Sequence, residues 1–198
     1  MSRILILLSL LTSYFGGDKY RILLVPHNRI YQSKVSEYLD RNYKPDTKTI
    51  IIFGTNHSDF GSPILESDGD YSVQNIIPVI RKYYPDTKII SYIFRPSRDI
   101  PGLLAFSNQI RKKYKSRNLL IIASVDFSHY TSRSEADVFD QETFQAIKKH
   151  DYNQLIGWGS EHTDCPDCLI ISSIMNNKFT VASREYFEGT SYVFANFQ

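Results

Sequence analysis

Leu119-Leu120-Ile121-Ile122-Ala123-Ser124-Val125-Asp126-Phe127-Ser128-His129-Tyr130 is the stretch on which the reading of the fold turns. An unbroken aliphatic run of this length suits a strand buried on both faces, as in a parallel sheet. Its polar residues arrive only after the run has ended. The pattern recurs outward from it. ILLV at 22–25 leads into Pro26-His27-Asn28, and TIIIF at 49–53 leads into Gly54-Thr55-Asn56-His57-Ser58-Asp59; IISYIF at 89–94 is a further run. Helix-length segments separate them: 33–41 with Ser33 as cap, 72–84 with Pro78 as a bend or break, 103–114, and 135–149 starting near Ser134. Such alternation predicts an α/β fold, an α/β/α sandwich with right-handed crossovers and a mostly parallel central sheet. Residues 179–187 and 192–197, joined by Glu188-Gly189-Thr190, read as a C-terminal antiparallel hairpin.

At 198 residues and 42% hydrophobic, the chain has enough apolar material for one domain and is too short for two full-sized ones. No repeat, low-complexity tract or linker divides residues 21–198, so these form a single α/β domain. A net charge of +2 gives no reason to propose nucleic acid as a partner. The densest basic group, Arg111, Lys112, Lys113, Lys115 and Arg117, reads as the solvated end of a helix. Residues 1–20 stand apart. Arg3 precedes an apolar stretch at 4–11 that is too short to span a bilayer. It resembles the start of a secretory signal without a small-x-small cleavage site, and it equally suits an edge strand or a buried helix. A membrane is a partner only if this segment is an anchor, and a cytoplasmic location is expected over an exported one.

Ligands of open α/β sheets bind beyond the carboxyl ends of the strands. Three of the five histidines, His27, His57 and His129, fall there. One histidine after a strand is more often a hydrogen-bonded loop residue than a ligand. Three at one sheet edge favour a metal-capable pocket, because neutral imidazole is the commonest metal ligand and a base near pH 7. Asp126, three residues before His129, is either an imidazole-orienting or acid/base partner, or a turn residue. His162-Thr163-Asp164-Cys165-Pro166-Asp167-Cys168 precedes an apolar helical run at 169–175. With Thr163 or Asp164 as cap, Cys165 lies in the first turn, where the helix dipole favours a thiolate, a soft ligand for iron, copper or zinc. Cys165 and Cys168 are too few for a disulfide framework. They can form a dithiol redox pair, they are weak evidence for structural zinc, and Cys168 reads best as a small buried apolar side chain.

Val25-Pro26-His27, Gly54-Thr55-Asn56-His57, Ser124-Val125-Asp126-Phe127-Ser128-His129 and Asp164-Cys165 before a helix occur in an order that resembles the Memo family. This family, also known as AmmeMemoRadiSam system protein B, is similar in fold to class III extradiol dioxygenases. The resemblance covers nearly the whole chain from Arg21. It implies a metal pocket of His27, His57 and Cys165, with Asp126 and His129 beside it and with catalytic roles for Asp126, His129 and Cys165. It implies iron or copper as cofactor, with zinc also acceptable, and metal-dependent redox chemistry. Departures from the family pattern are Asn28-Arg29-Ile30-Tyr31 after His27, Pro166 after Cys165, and Asp70-Tyr71-Ser72-Val73-Gln74 in place of a Glu-His-Ser-x-Glu segment. They imply a smaller, more open pocket.

Three functions are therefore carried forward. The first is a metal-dependent oxidoreductase in which Asp126 and His129 manage protons. The second is a non-catalytic module recognising a small anion or phosphorylated peptide in the same pocket; beyond these, the small-molecule or peptide ligand is left open. The third is a dithiol oxidoreductase using Cys165 and Cys168, which would leave three histidines without a role.

Overall fold

The structure, a computed structural model, describes residues 20–59, 61–97, 99–114 and 118–198. The apolar segment at 4–11 lies outside them. The first strand, β1 (Arg21–Val25), leads through a 3-10 turn (Arg29–Tyr31) to α1 (Gln32–Arg41). Then come β2 (Thr49–Thr55), β3 (Ile64–Glu66), α2 (Tyr71–Gln74), α3 (Ile77–Tyr83), β4 (Lys88–Phe94), α4 (Ile100–Lys113) and β5 (Leu119–Ser124). The chain closes with α5 (Arg133–Lys149), α6 (Tyr152–Gly157), α7 (Pro166–Met175), β6 (Phe179–Phe187) and β7 (Thr190–Phe197).

All seven strands share one sheet in the order β3-β4-β2-β5-β1-β7-β6. Its middle four strands are parallel, and antiparallel strands flank them: β3 against β4, β7 against β1, β6 against β7. Strands reading as continuous aliphatic runs do so because both sheet faces are covered. Ile51 and Phe53 of β2 join Leu119 and Ile121 of β5 in a core shared with Leu103 of α4, Phe144 of α5 and Leu169 of α7. Their neighbours Ile50, Ile52, Leu120 and Ile122 face the other way, into a core with Val35 of α1, Val73 of α2 and Ile80 of α3.

Sequence punctuation sets several boundaries, with corrections. Pro78 sits at the start of α3, where a missing N–H costs nothing, so the expected 72–84 helix is two helices with Asn75 and Ile76 between them. The cap of α5 is Ser132, in a capping box with Glu135, not Ser134. No side chain caps α1, because the 3-10 turn feeds directly into it; Asn28 caps that turn instead. The hairpin turns tightly through Glu188 and Gly189, both at positive φ. Short β3 and α6 carry too little periodicity to be read beforehand. Among the described residues no helix is long and apolar enough to cross a membrane.

Topology decides where the polar strand ends meet. β5 is inserted between β1 and β2, pairing with both. The loops after β1, β2 and β5, carrying His27, His57 and Asp126, therefore lie side by side at one sheet edge. The segment before α7 is pinned to this edge by a bridge between Phe127 and Thr163 and by Asp164 N donating to Asp126 O at 3.2 Å.

Candidate metal centre

His27, His57 and Asp164 form a cluster able to hold a metal ion, with one ligand atom of each lying within 4.8 Å of the others. Asp164 Oδ2 stands 3.3 Å from His27 Nε2 and 3.7 Å from His57 Nε2. Both Asp164 distances are near the roughly 3.0–3.4 Å that separates ligands on bonds of about 2.1 Å around a tetrahedral or octahedral ion. The donor chemistry fits as well. Asp164 Oδ1 accepts a hydrogen bond from Asp126 N at 3.1 Å, whereas the buried Oδ2 has no well-formed hydrogen bond and faces the two imidazoles.

A second layer of residues surrounds the ligands. Asp70 caps α2 by accepting from Ser72 N, and the same carboxylate accepts from His57 N at 2.8 Å and from His57 Nδ1 at 2.9 Å. A carboxylate only accepts, so Nδ1 carries the proton and Nε2 presents its lone pair to the cluster. Tyr71, next in sequence, stacks on the His57 ring with centroids 3.9 Å apart and meets His27 edge-on at 5.5 Å. Asn75 Nδ2 donates to His27 O at 3.0 Å, and His27 N donates to Asp126 Oδ1 at 3.0 Å. Gly54 permits the close approach of α2 to β2: a Cβ there would lie 2.5 Å from Ser72 Oγ. Ser72 Oγ in turn donates to Thr55 O at 2.9 Å.

Burial sets the charge states. It pushes the Asp164 carboxyl well up, reinforced by Asp126. Burial also raises Asp126 to about 6, against the opposing pull of His129. The His27 imidazole is depressed to about 3, by burial first and His57 second, and burial lowers His129 too. Burial alone would raise Asp70, but the hydrogen bonds from His57 and Ser72 outweigh it and hold the carboxyl below its ordinary range. The result is a neutral His27 imidazole facing carboxyls that resist ionising together, a charge pattern that a bound cation relieves.

Of the residues singled out in the sequence, His27, His57 and Asp126 converge, with Asp126 Oδ2 3.5 Å from His27 Nε2. His129 is near enough to act on both Asp126 and His27 electrostatically, but it is not in the ligand cluster. Its neighbour Ser128 is fixed by Asp140 of α5, which is fully buried and also accepts from Ser191 and Arg184. Cys165 is placed differently from the sequence expectation. It is bonded to Cys168 in a disulfide, is almost fully buried and serves as N-cap of α7, so it offers no thiolate. Cys168, expected as an inert apolar side chain, is the other half of that bond. The carboxylate one residue earlier, Asp164, takes the place beside the histidines. Asp164 was visible only as a helix-cap candidate, and Asp70 only as a remnant of a family motif; an aspartate before a helix is too common to signal ligation.

A cleft of about 620 Å³ opens over the cluster, lined by His57, Asp164, Thr55, Asn56, Arg95 and Ser160 among others. His57, with a quarter of its side chain exposed, is the ligand most open to it. No protein-family model matches the chain, and no curated protein does. A crystal structure of an uncharacterized protein from Escherichia coli K12 is similar in fold. The two are 11% identical, with a TM-score of 0.57, and the match covers 91% of this chain and 100% of that one.

Proposed function

We propose that the protein is a metal-dependent redox enzyme built on a two-histidine, one-carboxylate centre, with iron as its metal. The observation that carries this is the convergence of His27 Nε2, His57 Nε2 and Asp164 Oδ2, with His57 Nδ1 tied to Asp70. Two imidazoles and one carboxylate on one side, with open positions on the other, is the donor set of oxygen-using non-haem iron sites. An oxygen ligand in the third position is harder than the thiolate expected from the sequence, which moves the preference from copper towards iron. The resemblance to the Memo family supports a metal pocket at these strand ends.

When bound, ferrous iron there supplies a site for oxygen and for one-electron chemistry. The chain's own residues do the remaining work. His27, His57 and Asp164 hold the metal on one side, leaving the cleft side for substrate. Tyr71 stacks on the His57 ring and meets the His27 ring edge-on, which limits rotation of His57. Asp126 and His129 form the proton-handling pair: a carboxyl raised towards neutrality beside an imidazole kept neutral.

The test is anaerobic loading with ferrous iron followed by nitric oxide, read by electron paramagnetic resonance. Wild type should give a nitrosyl–iron signal at one site per chain, and Asp164→Ala should not. A wild type that takes up no iron, or an Asp164→Ala variant with an undiminished signal, contradicts the proposal.

A further inference from the structure

We propose that the cleft takes a small organic acid carrying a single carboxylate, which Arg95 anchors while the rest of the molecule reaches towards His57 and Asp164. Arg95 directly follows β4, and Asn56 N donates to Phe94 O at 2.9 Å, so the arginine emerges beside the loop that carries His57. It is the one cation lining the cleft among the described residues. Its backbone is fixed, with Arg95 N donating to Pro63 O at 3.0 Å, but its guanidinium is only loosely engaged. Nε lies 3.6 Å from Asp59 Oδ1, and Nη1 donates to Asp59 O at 3.4 Å. Asp59 is itself three-quarters exposed. A pair of that kind contributes little and gives way easily to a better acceptor.

The guanidinium fork matches a carboxylate through two parallel hydrogen bonds. Charge around the cleft selects against a more highly charged anion. Asp59 lines it beside Arg95, and Asp70 lies directly behind His57. A phosphate dianion would meet these carboxyls with a single arginine to offset them, whereas a monocarboxylate needs only that one partner. A cleft of several hundred Å³ has room for a whole organic ligand. The contact to Arg95 stands on the cleft alone; only the placement of the substrate's far end rests on the metal-centre reading.

The experiment is isothermal titration calorimetry of the full chain, metal-free and zinc-loaded, with monocarboxylates from acetate to phenylpropionate, their amides, and inorganic phosphate. At least one of these carboxylates should bind, with its amide and phosphate at least tenfold weaker. Arg95→Gln should lose at least tenfold in carboxylate affinity while keeping the wild-type metal content and unfolding temperature, and Arg95→Lys should fall between the two. Equal carboxylate affinity in wild type and Arg95→Gln overturns the proposal, as does a preference for phosphate or for the amides. Loss of the metal reading shows separately, as absence of bound zinc with the Arg95 dependence intact.

Discussion

Asp70→Asn separates the ligands of the centre from the group that aims them. Asp70 makes three hydrogen bonds: to Ser72 N and His57 Nδ1 through Oδ1, and to His57 N through Oδ2. An asparagine keeping its carbonyl oxygen at the Oδ1 position would turn an N–H2 donor against the donating His57 N. Turning the amide over restores that bond and sets the donor against Nδ1 and Ser72 N instead. Either way His57 loses its charged acceptor, and with the amide turned over it loses its fixed tautomer as well. Removing an outer partner of this type costs about 10–100-fold in metal affinity, equivalent to ~1.4–2.7 kcal/mol. The N-cap of α2 survives in part, so the loss of fold stability should stay near 1 kcal/mol. The assay is competition for zinc or ferrous iron against a chromophoric chelator, run on wild type, Asp70→Asn, His57→Ala and the double variant. If Asp70 acts through His57, the double variant binds no more weakly than His57→Ala alone. Additive losses, or wild-type affinity in Asp70→Asn, refute the reasoning.

Three further outcomes follow from the same structure. Because Cys165 is disulfide-bonded, Cys165→Ser and Cys168→Ser should both keep wild-type metal stoichiometry by elemental analysis. Each should lose ~2 kcal/mol of stability in denaturant unfolding, the loop-closure value for so short a loop; loss of metal in Cys165→Ser alone would restore the thiolate ligand. Gly54→Ala should destabilise the fold by about 1–3 kcal/mol and weaken metal binding, since its Cβ meets Ser72 Oγ at 2.5 Å and Val73 Cγ2 at 2.9 Å and pushes Asp70 away. Asp167, buried and holding Ser97 N, is raised by burial to about 6 in the folded protein, from 3.8. The folded state then binds more protons than the unfolded state between these values, so this group's contribution falls as pH rises through pH 4–6. Unfolding of metal-free protein should show Asp167→Asn gaining about 2–3 kcal/mol relative to wild type between pH 4 and pH 7; a constant difference across that range contradicts the assignment.

The parallel strands were legible because residues buried on both faces leave no polar position to interrupt the run, as at Ile50-Ile51-Ile52 and Leu120-Ile121-Ile122. Strand order was not legible. That β5 lies between β1 and β2 is a tertiary result, yet it is what sets His27 and His57 on either side of Asp126. Histidines stood out because few residue types follow a strand with such chemistry, and two of the three are in the cluster. Asp164 did not stand out, because the same side chain in the same place usually only caps a helix. The neighbouring Cys165 drew the reading one residue too far, and its partner three positions on, one helical turn away, consumes its sulfur. Asp70 is thirteen residues from His57 in sequence, and nothing local marks it as that histidine's partner.

The most direct test of the metal centre is metal content after anaerobic reconstitution and desalting, measured on wild type, His27→Ala, His57→Ala, Asp164→Ala and Cys165→Ser. The account predicts one iron per chain in wild type and in Cys165→Ser, and little or none in the other three. Full occupancy in Asp164→Ala, or its loss in Cys165→Ser instead, would contradict it.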